Sequence, residues 1–303
     1  GRISQAYIFS GPENLGKSRI AQCFAKNILL HDSHSPAELA DLSTDKLILT
    51  GDVHILRRLE EKRGISIDQV RDLIKTLDLS SFGNSYKIGI IDEAETMSLE
   101  AMNALLKILE EPKSKVVLIL ITSNIESLPK TVVSRTQVLN FYPVKSDIIQ
   151  DYLVKDYGAS ANQAKAIAHL AIGRPALAIK FFEDSDFYES YLRQVKLFLS
   201  LSLTDPLQRW GRLPDLGKPD FHSAAIILDS WEALARDLLL INYGQTDLIR
   251  HEVVRNELIS WARRLSSKSI SQLLFHLRQS KAYLAANVQP QAIFEYLFSY
   301  NFN

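Results

Sequence analysis

The run Tyr7-Ile8-Phe9-Ser10-Gly11-Pro12-Glu13-Asn14-Leu15-Gly16-Lys17-Ser18 constrains this chain more than any other stretch. Tyr7 to Phe9 is short and apolar, as a buried strand is, and Ser18 to Leu29 suits a helix. Gly11 and Gly16 lie between them and permit backbone geometries that a side chain would forbid. A strand, a glycine-flanked loop and a helix start aim successive N–H groups at one point, where the helix dipole also favours an anion. In such a cradle Lys17 reaches the β- and γ-phosphates of a nucleotide, and the Ser18 hydroxyl completes a Mg²⁺ shell. The pattern G-x-x-x-x-G-K-[ST] arises by accident in a chain of this size roughly once in a hundred cases. The alternative is a glycine turn carrying a solvated lysine.

At 303 residues and 46% hydrophobic content the chain suffices for two or three domains, each with its own core. Its 35 basic and 35 acidic side chains cancel, which argues against a sequence-independent grip on nucleic acid over the whole surface and leaves room for a local basic face. Cys23 falls at an apolar position of the expected first helix and reads as a small core residue in a reducing compartment. No apolar stretch approaches a membrane span and the N-terminus is not signal-like, so a cytoplasmic protein with no membrane partner is expected. The chain opens on Gly1 rather than Met, close to a core strand, and a preceding natural segment is expected. Cys23, His31, His34 and His54 do not fall at paired zinc spacings.

Loops are expected from His31 to Pro36, from Arg57 to Gly64, where the chain is charged, and at Gly83-Asn84-Ser85. Between them lie a short strand, Asp52 to Leu56, and a helix opened by Ser66 or Asp68, with Val70, Leu73, Ile74 and Leu77 as its apolar stripe. Tyr86 to Ile91 is a nearly continuous apolar run that ends in Asp92-Glu93. Carboxylates at the C-terminal end of a parallel strand stand where open α/β sheets bind ligands. Beside the phosphate loop, Asp92 would hold the Mg²⁺ water shell and Glu93 would orient and deprotonate an attacking water. A helix over Ser98 to Glu110, with Met102, Leu105, Leu106 and Leu109 buried, ends at Pro112. Val116 to Ile121 reads as another buried strand, finishing in Thr122-Ser123-Asn124, whose polar groups either meet the γ-phosphate and attacking water or start a turn. After a short helix, Pro129 to Ser134, Arg135 precedes a last strand, Val138 to Phe141. Strands alternating with helices mean a parallel, helix-covered α/β sheet. Beyond Pro143 only helical patterns remain, including Ala224 to Ile241, Leu248 to Leu265 and Ser269 to Leu284. Domains are expected at 1–143, 144–203 and 204–303.

Gly11-Pro12 through Gly16-Lys17-Ser18, Ile91-Asp92-Glu93-Ala94-Glu95, Asn103 through Pro112, Leu118 through Asn124 and Ser134-Arg135 stand in the order found in bacterial sliding-clamp loaders of the AAA+ class, and the chain resembles that family. Asp92-Glu93-Ala94-Glu95, Leu128-Pro129 and Asn287-Val288-Gln289-Pro290-Gln291 look like the delta-prime type of DNA polymerase III loader subunit rather than the gamma/tau motor type. The resemblance implies an ATPase-type α/β sheet domain, a small helical lid and an all-α collar by which subunits form an open ring. It implies ATP and Mg²⁺ as cofactors, with Gly11, Pro12, Asn14, Gly16, Lys17, Ser18, Asp92, Thr122, Ser123, Asn124 and Arg174 around the nucleotide and Ser18 and Asp92 on the metal. Glu93 would be the base, and Arg135 an arginine finger offered in trans to ATP on a neighbour. The alternative for Arg135 and Arg174 is a helix-end arginine paired to a carboxylate.

Three positions depart from the family pattern. Thr136 replaces a cysteine, Asn14 stands where glycine is usual and tolerates left-handed geometry, and no cysteine module follows Leu30, so no zinc is expected. Partners implied are gamma/tau and delta-type subunits, the sliding clamp and primed DNA. Two roles stay open: a stator that lends Arg135, and an ATP-hydrolysing gamma/tau-type motor.

Overall fold

In a computed structural model the structure describes residues 3–32, 51–59, 64–78, 86–111, 115–201, 208 and 210–299. The chain divides into two compact units, Gly1–Pro143 and Val144–Asn303. In the first, β1 (Ala6–Ser10), β2 (Val53–Leu56), β3 (Lys87–Ile91), β4 (Val116–Thr122) and β5 (Gln137–Asn140) form one parallel sheet in the order β2-β3-β4-β1-β5. Because side chains alternate across a strand, Tyr7, Phe9, Ile88, Ile90 and Ile119 face α1 (Lys17–Asp32). Ile8, Ile91, Leu118 and Leu120 face the opposite layer, α2 (Ile67–Asp78), α3 (Leu99–Glu110) and the single turn α4 (Lys130–Val133). The central strands β1, β3 and β4 are therefore dry on both faces, as their largely apolar runs require, and each fully buried isoleucine contributes about 1.5–3 kcal/mol. This α/β arrangement, followed by helices alone, is the AAA+ type expected from the sequence.

Local chemistry sets the helix starts. Ser66 Oγ accepts from Gln69 N at 3.5 Å while Gln69 Oε1 accepts from Ser66 N at 3.0 Å, a reciprocal cap at the head of α2. Ser98 Oγ accepts from Ala101 N at 3.2 Å to open α3. Three expectations are corrected. Cys23 is exposed: α1 buries Ala21, Ala25, Ile28 and Leu29, and a residue two past Ala21 points about 200° away from that stripe. On α3 the buried face is Ala101, Met102, Leu105 and Ile108, so Ile108 takes the place expected for Leu106 and Leu109, which are half-buried. His31 and Asp32 belong to α1 rather than to a loop. The Ser33 to Pro36 stretch with His34, the Gly83-Asn84-Ser85 turn, Pro112 and Thr204 lie outside the described residues.

The second unit contains α5 (Ser146–Tyr157), α6 (Ala161–Ala171), α7 (Pro175–Glu183), α8 (Ser185–Leu201), α9 (Phe221–Asn242), α10 (Arg255–Ala262), α11 (Ser267–Ala285) and α12 (Pro290–Ser299). It has two apolar cores. The smaller gathers Ile149, Leu153, Ile167 and Phe181. The larger is built on Phe198, Trp231, Trp261, Phe294 and Phe298. Helix α8 serves both, since Phe187 and Tyr188 pack on the first core, Val195, Phe198 and Leu201 belong to the second, and Tyr191 touches each. A fragment of residues 204–303 discards those three buried side chains, each worth about 1.5–3 kcal/mol against a typical total of about 5–15 kcal/mol. Thermal denaturation followed by circular dichroism is expected to be cooperative for a 144–303 fragment and broad, at lower temperature, for 204–303. An equally sharp transition in the shorter piece would refute this.

The stretch Leu248 to Leu265, expected as one helix, is broken into the short turn Glu252–Val254 and α10. Asp237 is the cause. Its buried Oδ2 accepts from Arg250 N at 2.8 Å and His251 N at 3.0 Å, taking two amides out of any helical ladder, and from His251 Nδ1 at 2.7 Å. The His251 Nε2 then accepts from the Tyr191 hydroxyl at 2.7 Å. Burial of that hydroxyl pushes its pKa up to about 12, so it remains a donor throughout the neutral range. No described helix is long and apolar enough to cross a membrane.

Candidate nucleotide site

The C-terminal ends of the parallel strands make one edge, and the phosphate loop leaves β1 there. Gly11 N donates to Thr122 O at 3.2 Å and Phe141 N to Ser10 O at 2.7 Å, which fastens the loop to the ends of β4 and β5. Gly11 has φ +151°, and a Cβ on it would stand 2.3 Å from Phe141 O, so no other residue fits this approach. Asn14 adopts the left-handed region at φ 61°, the geometry that makes asparagine a workable substitute for glycine. The first bond of α1 runs from Ile20 N to Gly16 O at 3.0 Å, so the N–H groups of residues 17–19 lie ahead of the intrahelical ladder, at the loop. Lys17 is only 6% exposed, and its Nζ donates to Gly11 O at 2.6 Å and Pro12 O at 2.7 Å. The ammonium thus rests on the carbonyls of its own loop, neutral acceptors weaker than phosphate oxygens. Gly11, Pro12, Asn14, Gly16, Lys17 and Ser18 form one cradle.

Asp92 and Glu93 follow β3 at the same edge, where Leu56 pairs with Ile91 and Asp92 N donates to Leu56 O at 2.9 Å. That pairing carries the two residues after β2 to the carboxylates. Arg57 Nη2 donates to Ser18 Oγ at 3.4 Å and its Nε lies 3.6 Å from Asp92 Oδ2. Arg58 Nε donates to Glu93 Oε2 at 2.8 Å. Ser18 and Asp92 thus meet the same guanidinium, and both offer oxygen, the donor that Mg²⁺ takes. Glu93 has φ 53°, an uncommon conformation for a residue with a side chain and one that stores about 1–3 kcal/mol. Sequence reasoning left Arg57 and Arg58 in a charged loop. The signal for them was positional: two arginines directly after a buried strand that pairs with the strand ending in Asp92-Glu93.

At the end of β4 the polar groups have partners inside the chain. Thr122, 1% exposed, donates its hydroxyl to Asn124 O at 3.0 Å and accepts from Asn124 N at 3.1 Å. Ser123 donates both N, at 2.9 Å, and Oγ to Glu95 Oε1. Asn124 Oδ1 accepts from Glu126 N at 3.0 Å, which orients the amide so that its NH₂ faces the other way. Glu95 thereby links the turn after Glu93 to the tip of β4, a tie that sequence reasoning did not assign.

Arg135 is at the opposite edge. It lines a shallow pocket with Ser4, Gln5, Ala6, Val116 and Leu118, at the N-terminal ends of β1 and β4, so the sheet separates it from Lys17. Its Nη2 pairs with Glu110 Oε1 at 3.0 Å and its Nη1 donates to Thr131 O at 3.0 Å. Thr136, in the departing cysteine position, donates its hydroxyl to Val133 O at 2.9 Å and closes the turn that presents Arg135. Arg174 belongs to the second unit, at the head of α7, with Pro175 in the first helical position and its own N–H donating to Ala171 O at 3.0 Å.

Residues 1–145 match the family model described as DNA polymerase III, delta subunit. The chain is 28% identical to DNA polymerase III subunit delta' of Bacillus subtilis over 98% of its own length and 90% of that protein. It is 32% identical to subunit delta' of Pseudomonas aeruginosa over 44% of this chain and 41% of that one. Against DNA polymerase III subunit tau of Bacillus subtilis the identity is 33%, over 49% of this chain and 26% of tau. The tau match covers half of the chain, whereas the Bacillus delta' match also takes in the helices after the sheet, and by that reach the chain is similar to DNA polymerase III subunit delta' over nearly its whole length.

Proposed function

We propose that this chain is a delta-prime-type subunit of a DNA polymerase III clamp loader and acts chiefly as a stator, helping the ATP-dependent loading of a sliding clamp onto primed DNA by lending Arg135 to ATP held on a neighbouring gamma/tau-type subunit. The observation that carries the reading is the position of Arg135 across the sheet from Lys17, apart from the phosphate loop of its own chain and partly exposed at the N-terminal edge. A guanidinium fixed there neutralises charge developing on a transferring phosphoryl group of an adjacent molecule. The chain's own cradle suits Mg-ATP: loop N–H groups and Lys17 for the phosphates, Ser18 and Asp92 for the metal, and the Asn124 amide at the far side. Bound there, Mg-ATP would supply an electrophilic phosphorus and a dense negative charge. Glu93 is the residue that would take a proton from water in a motor, and here its carboxylate accepts from Arg58 Nε at 2.8 Å. The alternative is the motor reading, in which Lys17, Ser18, Asp92 and Glu93 turn over ATP themselves. Delta and gamma/tau-type subunits, the clamp and primed DNA are the proposed partners, in the cytoplasm. Reconstitution tests the reading: a loader assembled from the gamma/tau and delta subunits is expected to place labelled clamps on primed circular DNA only when this chain is added. Equal loading without it would refute the proposal.

A further inference from the structure

The guanidinium of Arg57 touches both oxygens that the chain offers to a metal, with Nη2 at 3.4 Å from Ser18 Oγ and Nε at 3.6 Å from Asp92 Oδ2. Ser18 comes from the head of α1, Asp92 from the end of β3 and Arg57 from the end of β2, so three elements converge there. The pairing of Leu56 with Ile91 makes the convergence a property of the sheet rather than of one side chain's wandering.

We propose that Arg57 is a built-in counter-cation of the nucleotide site, competing with Mg²⁺ for Ser18 and Asp92. This rests on the nucleotide-binding reading of the Lys17 loop and adds to it how metal and protein share the charge. A guanidinium never loses its proton in a protein, so it neutralises Asp92 at any working pH. Mg²⁺ sheds water reluctantly and gains little from one carboxylate and one hydroxyl, so the metal alone does not displace the arginine. With a triphosphate bound, its oxygens would complete the metal's ligand set beside Ser18 and Asp92, and the Arg57 fork, freed from Asp92, would match phosphate oxygens. Part of the cationic work on the phosphates is thus done by the chain itself.

Mn²⁺ alone, followed by electron paramagnetic resonance, is the first probe. Arg57 is 60% exposed, so Arg57→Ala leaves the core intact. The full-length Arg57→Ala chain is expected to bind Mn²⁺ about fivefold more tightly than wild type, the upper range for one partly exposed charge pair, with Arg57→Lys in between. A fluorescent ATP analogue is then titrated with Mg²⁺ and with EDTA. Wild type is expected to lose little affinity when the metal is removed, and Arg57→Ala about fivefold more. Equal Mn²⁺ affinity in wild type and Arg57→Ala, or none in the variant, overturns the inference, as does an unchanged metal dependence of nucleotide binding. Failure of the analogue to bind either chain overturns the nucleotide reading instead, because the Mn²⁺ titration needs no nucleotide.

Discussion

On the stator reading, Arg135→Ala is expected to lower the DNA-dependent ATPase of the assembled loader, and Glu93→Gln to leave it nearly intact. An arginine that stabilises a phosphoryl transition state from a neighbouring subunit is worth about 10³–10⁵ in rate at the site it serves, and one subunit serves one neighbour. Total turnover therefore falls in part rather than to zero if other subunits keep complete sites. The resting pair of Arg135 with Glu110 does not prevent this use. Both side chains are well exposed, at 38% and 50%, and such a pair holds by no more than about 1 kcal/mol, far less than a transition-state contact returns. Glu93 lies on the edge of Lys17, and so acts only on this chain's own nucleotide, which a stator leaves unhydrolysed. Steady-state ATPase and clamp loading on reconstituted complexes decide the matter. A large loss from Glu93→Gln with none from Arg135→Ala would establish the motor reading and refute the stator.

Lys17→Ala is expected to abolish Mg-ATP binding by the isolated chain. A buried ammonium makes at least one charge-assisted bond to phosphate, worth about 1.5–3 kcal/mol, and two such bonds weaken affinity roughly a hundredfold or more when lost. Because Lys17 also bonds Gly11 O and Pro12 O, the loop itself loses two contacts, so a thermal melt of the variant separates loss of the phosphate contact from loss of the fold. Equal ATP affinity in the wild type and a folded Lys17→Ala chain would end the cradle reading.

The sheet domain is legible in the sequence because its interior strands are covered on both faces, so the runs at Tyr7 to Phe9 and Val116 to Ile121 are apolar without interruption and Tyr86 to Ile91 is broken only at Lys87 and Gly89. The phosphate loop is legible because Gly11 and the left-handed Asn14 and Gly16 leave few alternatives in residue type. What escapes is whatever depends on a partner distant in sequence. Arg57 and Arg58 look like any solvated loop until β2 is paired with β3. The break near Arg250 has no proline or glycine to announce it, since Asp237 on another helix makes it. The exposure of Cys23 is an error of phase: residue type suggested core where the stripe of α1 had already turned away.

The helix shared by both cores of the second unit has a mechanical meaning. Close-packed interiors compress little and pass strain on rather than absorbing it. With Phe187 and Tyr188 wedged in one core and Val195, Phe198 and Leu201 in the other, α8 is a beam gripped at both ends, and the hydroxyl of Tyr191 bolts its middle to His251. A displacement imposed on the helices around Phe181 therefore reaches those around Trp231 as the turn of a lever, with no slack joint between them in which to be lost.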